Sequence, residues 1–69
     1  MALSWQDAEE IALELLAAHP GVDPLTVRFT DLRAWVIALP DFADRPEKSN
    51  EGILESIQMA WLEEYKDSR

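Results

Sequence analysis

The sequence predicts a mainly α-helical fold, a small three-helix domain with one short strand. Three observations carry that expectation. Apolar residues recur at helical spacing in three separate stretches, within residues 5–16, 32–39 and 53–61, and each stretch marks one helical face. His19-Pro20-Gly21 and Pro40 punctuate the gaps between them. Only Val27-Arg28-Phe29 alternates apolar and charged residues with the period of two that a strand shows. At 69 residues the chain is one domain with a thin core.

Helix one is expected from Ser4 or Trp5 to Ala18, with Trp5, Ala8, Ile11, Ala12, Leu15 and Leu16 on its inner face. Ser4 reads as its N-cap and Asp7 as a weaker form of the acid in a capping box. Asp7 and Glu10 gain from the helix dipole, whereas Glu14 lies too far along to do so. His19 is the only histidine and is expected to serve the last carbonyls of the helix. Val22 to Leu25 turns the chain into the strand at residues 27–29. The period changes at Thr30 or Asp31, where a short oxygen side chain can start helix two. That helix carries Leu32, Trp35, Val36 and Leu39 inward, and Pro40 ends it. The segment 27–39 is expected to be the surface on which the other two helices bury their apolar faces.

Residues 41–48 read as a loop in which Phe42 plugs the edge of the core, and Asp41 and Asp44 fit either solvated turn residues or a binding role. Helix three is expected from Ser49 or Asn50 to about Glu64, burying Ile53, Leu54, Ile57, Ala60 and Trp61. Glu51 and Glu55 fall on its outer side, in line with Leu62 and near Met59. Exposed apolar groups beside carboxylates fit either a protein-contact patch or ordinary surface scatter. The domain is taken as residues 1–66 and residues 67–69 as a frayed tail. The order helix, strand, helix, loop, helix suits a reduced helix-turn-helix or winged-helix arrangement. With one legible strand, a full wing is not expected.

The net charge is −8, and residues 1–24 hold Asp7, Glu9, Glu10, Glu14 and Asp23 without one Lys or Arg. Such a field repels nucleic acid and anionic membranes. It favours a basic protein surface or a metal cation, although it also serves solubility. Without cysteine there is no disulfide and no thiolate ligand for zinc or an iron–sulfur cluster. No apolar run approaches a membrane span and no signal-peptide pattern opens the sequence, so a soluble cytoplasmic protein is expected. No catalytic constellation is legible: the lone His19 has no Ser, Cys or Thr arranged around it, and the two glycines build no phosphate-cradling loop. An acyl carrier is also excluded, because the only Asp-Ser pair is Asp67-Ser68 in the tail.

Several stretches carry a family resemblance. They are Trp5-Gln6-Asp7 with Glu10-Ile11, Asp23-Pro24, and Thr26-Val27-Arg28-Phe29-Thr30-Asp31 followed by Trp35. Leu39, Asp41-Phe42, Asp44, Ser49-Asn50-Glu51, Ile53-Leu54-Glu55 and Trp61-Leu62 complete the pattern. In this order and spacing they resemble the IscX family of small acidic accessory proteins of bacterial iron–sulfur cluster assembly. The likeness runs from Leu3 to about Glu64 and leaves Glu14 aside. It implies a winged-helix-like fold without nucleic-acid function, docking on the cysteine desulfurase IscS through an acidic surface, weak iron binding by exposed carboxylates, and a regulating effect on desulfurase activity. Ferredoxin or other cluster-assembly proteins are further implied partners. The acids on the pattern are Asp7, Glu10, Asp23, Asp31, Asp41, Asp44, Glu51 and Glu55. Of these, Asp7, Glu10, Asp31, Asp41, Asp44, Glu51 and Glu55 are the expected docking residues of a monomeric, non-enzymatic adaptor. Asp7, Glu10 and Asp31 are the expected iron ligands, provided the starts of helices one and two lie close. Two other readings stand beside this one: a stand-alone iron-binding donor, and a nucleic-acid-binding winged helix that rests on fold analogy alone.

Overall fold

The computed structural model describes residues 2–67. Its three helices are α1 (Ala8–Ala18), α2 (Phe29–Ile37) and α3 (Glu51–Asp67). Short 3-10 turns at Pro24–Thr26 and Pro46–Lys48 join them. The only sheet-like pairing among the described residues is an isolated parallel bridge between Leu3 and Phe42.

The segment 27–39 is not the hub of the packing. The main seam lies between α1 and α3, and α2 touches each of them less. At nine residues α2 presents too little apolar face to cover two longer helices. Trp5 and Ala8 line one cleft together with Gly52 and Ile53 at the start of α3. At the other end of α1, the His19 ring lies 6.5 Å from the Trp61 ring. The two helices therefore run in the same direction. Their seam is closed by Ile11, Ala12, Leu15, Leu54, Ile57 and Trp61, with Leu32 and Val36 of α2 completing the core.

The expected strand at residues 27–29 does not form. Val27 and Arg28 are extended, but among the described residues no neighbouring strand takes their backbone groups. The Val27 N–H instead closes the turn onto Pro24 O at 3.3 Å, and Arg28 O accepts from Leu32 N at 2.8 Å to open α2. Helix two thus starts at Phe29, with Arg28 rather than Thr30 or Asp31 at its N-cap. It stops at Ile37, so Leu39 is buried from the turn that follows.

Helix one likewise begins at Ala8, not at Ser4 or Trp5. The reason is tertiary. Leu3 pairs with the 41–43 segment through Leu3 N to Asp41 O at 2.7 Å and Ala43 N to Leu3 O at 2.9 Å. Trp5 then buries its indole, donating Nε1–H to Arg45 O at 2.6 Å and meeting the Phe42 ring edge-on at 4.7 Å. A helical turn over residues 4–7 would break these contacts. Phe42 does cover the core edge as expected, although half-buried itself.

Helix three has the cap expected of Asn50, whose Oδ1 accepts the Ile53 N–H at 2.9 Å. It runs on to Asp67, past the expected end at Glu64, so Asp67 belongs to the helix; positions 68 and 69 of the expected tail lie outside the described residues. Leu62 is buried, not on the outer face. Gln58, one turn before it on the same flank, donates to Pro24 O at 3.0 Å, so the Pro24–Thr26 turn docks on that flank. His19 closes α1 through its backbone N–H to Leu15 O at 2.8 Å. Its imidazole does not serve the last carbonyls; it stacks on Trp35 with ring centres 4.0 Å apart. Gly21, at φ 83°, supplies the left-handed residue that lets the chain leave the helix.

Candidate docking surface

The parallel course of α1 and α3 puts both helix starts at one end of the molecule. The segments meeting there are the strap at residues 3–7, the loop at 41–50, and the first turns of the two helices. Glu9, Glu10 and Glu51 lie in those first turns, where the partial positive charge of the helix ends favours carboxylates. Asp7, Asp41 and Asp44 belong to the strap and loop, and Glu55 is one turn further along α3. An open depression of about 350 Å³ is lined by Gln6, Asp7, Ala8, Glu9 and Glu10.

These acids divide by what already holds them. Asp7 Oδ2 accepts the Ser4 backbone N–H at 2.9 Å and the Ser4 hydroxyl at 3.3 Å. It is the reciprocal half of the expected capping box, displaced so that Asp7 itself precedes the helix. Asp44 accepts the N–H of Arg45 at 2.7 Å and of Trp5 at 3.2 Å, and stands 3.8 Å from Lys48 Nζ. The Arg45 N–H, then that of Trp5, then the Lys48 charge hold its carboxyl below the usual aspartate range. Asp7 and Asp44 therefore fasten the N-terminal strap.

Glu10, Asp31, Asp41, Glu51 and Glu55 are exposed and carry no hydrogen bond or ion pair through their carboxylates among the described residues. Asp44–Lys48 is the only ion pair among the described residues. Among the described residues the acid surplus is thus not neutralised internally, and the acids with no structural task present charge outward. Glu9 and Glu63, which the sequence reading did not select, are exposed in the same way. Their position on the outer faces of α1 and α3 was the available signal.

Asp7, Glu10 and Asp31 do not converge. Among the described residues, no group of three or more His, Asp or Glu side chains is placed to hold a metal ion. Asp31 sits in the first turn of α2, and the strap that keeps residues 4–7 out of the helix also commits the Asp7 carboxylate to Ser4. This donor set does not fit a preformed iron site.

A family model described as iron–sulphur cluster assembly matches residues 3–66. The chain belongs to the iron–sulphur cluster assembly family. This is the family that the ordered acids and tryptophans resemble. An uncharacterized protein of Pseudomonas aeruginosa, PA3808, is 53% identical over 64 residues, covering 93% of this chain and 97% of its own. In this cluster-assembly chain no helix of the described residues is long and apolar enough to cross a membrane. The helical architecture agrees with expectation, whereas the isolated Leu3–Phe42 bridge supplies no wing.

Proposed function

We propose that the chain acts as a monomeric, non-enzymatic adaptor in the cytoplasm. It docks on the cysteine desulfurase of the cluster-assembly machinery, IscS, by offering outward-facing carboxylates to a basic surface. One observation supports this most directly: Glu10, Asp31, Asp41, Glu51 and Glu55 pair with no cation among the described residues, in a chain of net charge −8. Charge complementarity of this kind speeds encounter and sets orientation. Asp7 and Asp44 contribute to the field while their first task is to hold the strap.

Iron enters this reading only as an ion held loosely by the open carboxylate surface. Hard oxygen ligands without histidine or a preformed cluster give weak, unselective binding of divalent metals. No step of the docking depends on it.

The test is a binding titration of the purified desulfurase with wild-type protein and with Glu10→Lys/Glu55→Lys, at low and at physiological salt. Exposed charge pairs contribute about 0.2–1 kcal/mol each. Two reversals should weaken the complex about tenfold at low salt, and the difference should shrink as the screening length falls to about 8 Å at physiological ionic strength. An affinity indifferent to both salt and charge reversal would refute the proposal.

A further inference from the structure

Two large apolar side chains stay exposed, Met59 on α3 and Leu25 on the turn that docks against α3, and the fold requires neither. Glu51, Glu55, Met59 and Glu63 follow one another at intervals of four, which is a single ridge of the helix surface. All four are exposed, Met59 at 48%. Next to this ridge sits the Pro24–Thr26 turn, tied to α3 by the bond from Gln58 Nε2 to Pro24 O at 3.0 Å. Gln58 immediately precedes Met59. The turn carries Leu25, 62% exposed, the most exposed large apolar residue of the described chain.

Stability does not explain these choices. The turn is built by Pro24, by the Asp23 carboxylate accepting the Leu25 N–H, and by the Thr26 hydroxyl donating to Asp23 O. None of these bonds uses the Leu25 side chain, and a polar residue would serve there equally well. On α3, a lysine at position 59 would stand four residues from both Glu55 and Glu63 and could pair with each. Methionine forgoes both pairs. It is also the side chain that adapts best to an irregular partner surface.

We propose that Leu25 and Met59 are the apolar anchors of a docking strip whose charged frame is Glu51, Glu55 and Glu63. Its occupant is a protein surface that presents Lys or Arg side chains around an apolar recess. The charges select this occupant over the others. A second copy of the chain related by a two-fold axis would set this acidic ridge against itself. Nucleic acid and anionic lipid are repelled by the same carboxylates. The inference rests on the adaptor reading and adds that affinity on this face comes from the two apolar residues, with the acids supplying orientation and encounter rate.

The experiment measures the equilibrium affinity of the purified desulfurase for wild type, Leu25→Asn/Met59→Gln, Met59→Lys and Glu10→Lys, at low and physiological salt. Thermal melts of each variant accompany the titrations. The Leu25→Asn/Met59→Gln protein should melt within a few degrees of wild type and bind about tenfold more weakly, a loss that persists at physiological salt. Met59→Lys should melt no lower than wild type and still lose affinity, which separates docking from folding. If wild type binds and Glu10→Lys weakens it, while the Leu25 and Met59 variants bind unchanged, the anchor inference is overturned and the adaptor reading stands. If wild type does not bind the desulfurase at all, both are overturned.

Discussion

Trp61 offers a test of how the core is balanced. It is fully buried, yet its indole Nε1–H has no hydrogen-bond partner among the described residues. Trp61→Phe therefore has two opposing effects. Losing part of the indole costs about 1–1.5 kcal/mol, on the scale of one or two buried methylenes. Removing an unsatisfied buried donor returns about 1–3 kcal/mol. The net change should fall between about 0.5 kcal/mol of loss and about 2 kcal/mol of gain, a shift in Tm of no more than about 15 °C in a domain of this size. Trp61→Ala has no such offset and should cost about 3–5 kcal/mol. Total stability for 69 residues is about 3–10 kcal/mol, so the alanine variant should lose about a third of it or more, and unfolds outright if the wild type lies at the lower end. Urea unfolding followed by far-ultraviolet circular dichroism reads both without relying on tryptophan emission. A loss above about 3 kcal/mol for Trp61→Phe would show that the Nε1–H is satisfied and refute the reasoning.

Other consequences are as direct. Because the Asp44 carboxyl is held below its ordinary 3.8, its contribution to stability is present above that value and is lost as pH falls through the lower folded one. Asp44→Asn should be less stable than wild type at neutral pH and should flatten the acid limb of the melting curve; superimposable acid limbs would show that Asp44 does not fasten the strap. Iron(II) titration followed by NMR should broaden resonances along the carboxylate surface gradually. A sharp end-point at one equivalent would instead reveal a preformed site and favour the stand-alone donor.

The three helices were legible because their buried stripes repeat at 3.6 residues, and burial follows the stripe closely at Ile11, Leu15, Leu32, Val36, Leu54, Ile57 and Trp61. The helix starts were less legible. Ser4 and Asp7 carry the composition of a capping box, but burial of Trp5 against Phe42 and Arg45 outweighs one extra helical turn. The alternation at Val27–Phe29 correctly indicates extended backbone at Val27 and Arg28, but not a strand, since strand formation requires a partner ladder and none lies alongside among the described residues. For the candidate site, the sequence indicated which acids to consider. It did not indicate that Asp7 and Asp44 are engaged, or that Leu62 is covered while Met59 is not.

By itself, the amino-acid order determined the helical content, most core residues, the surplus of negative charge and the absence of thiolate chemistry, because each of these depends on side-chain type and local period. The direction of α1 relative to α3, the end at which the acids gather, and the division between carboxylates that tie the strap and those that face outward were decided only in three dimensions. They depend on contacts across some forty residues, such as Trp5 with Asp44 and Arg45. No local pattern encodes the energy of a contact between segments so far apart in the chain.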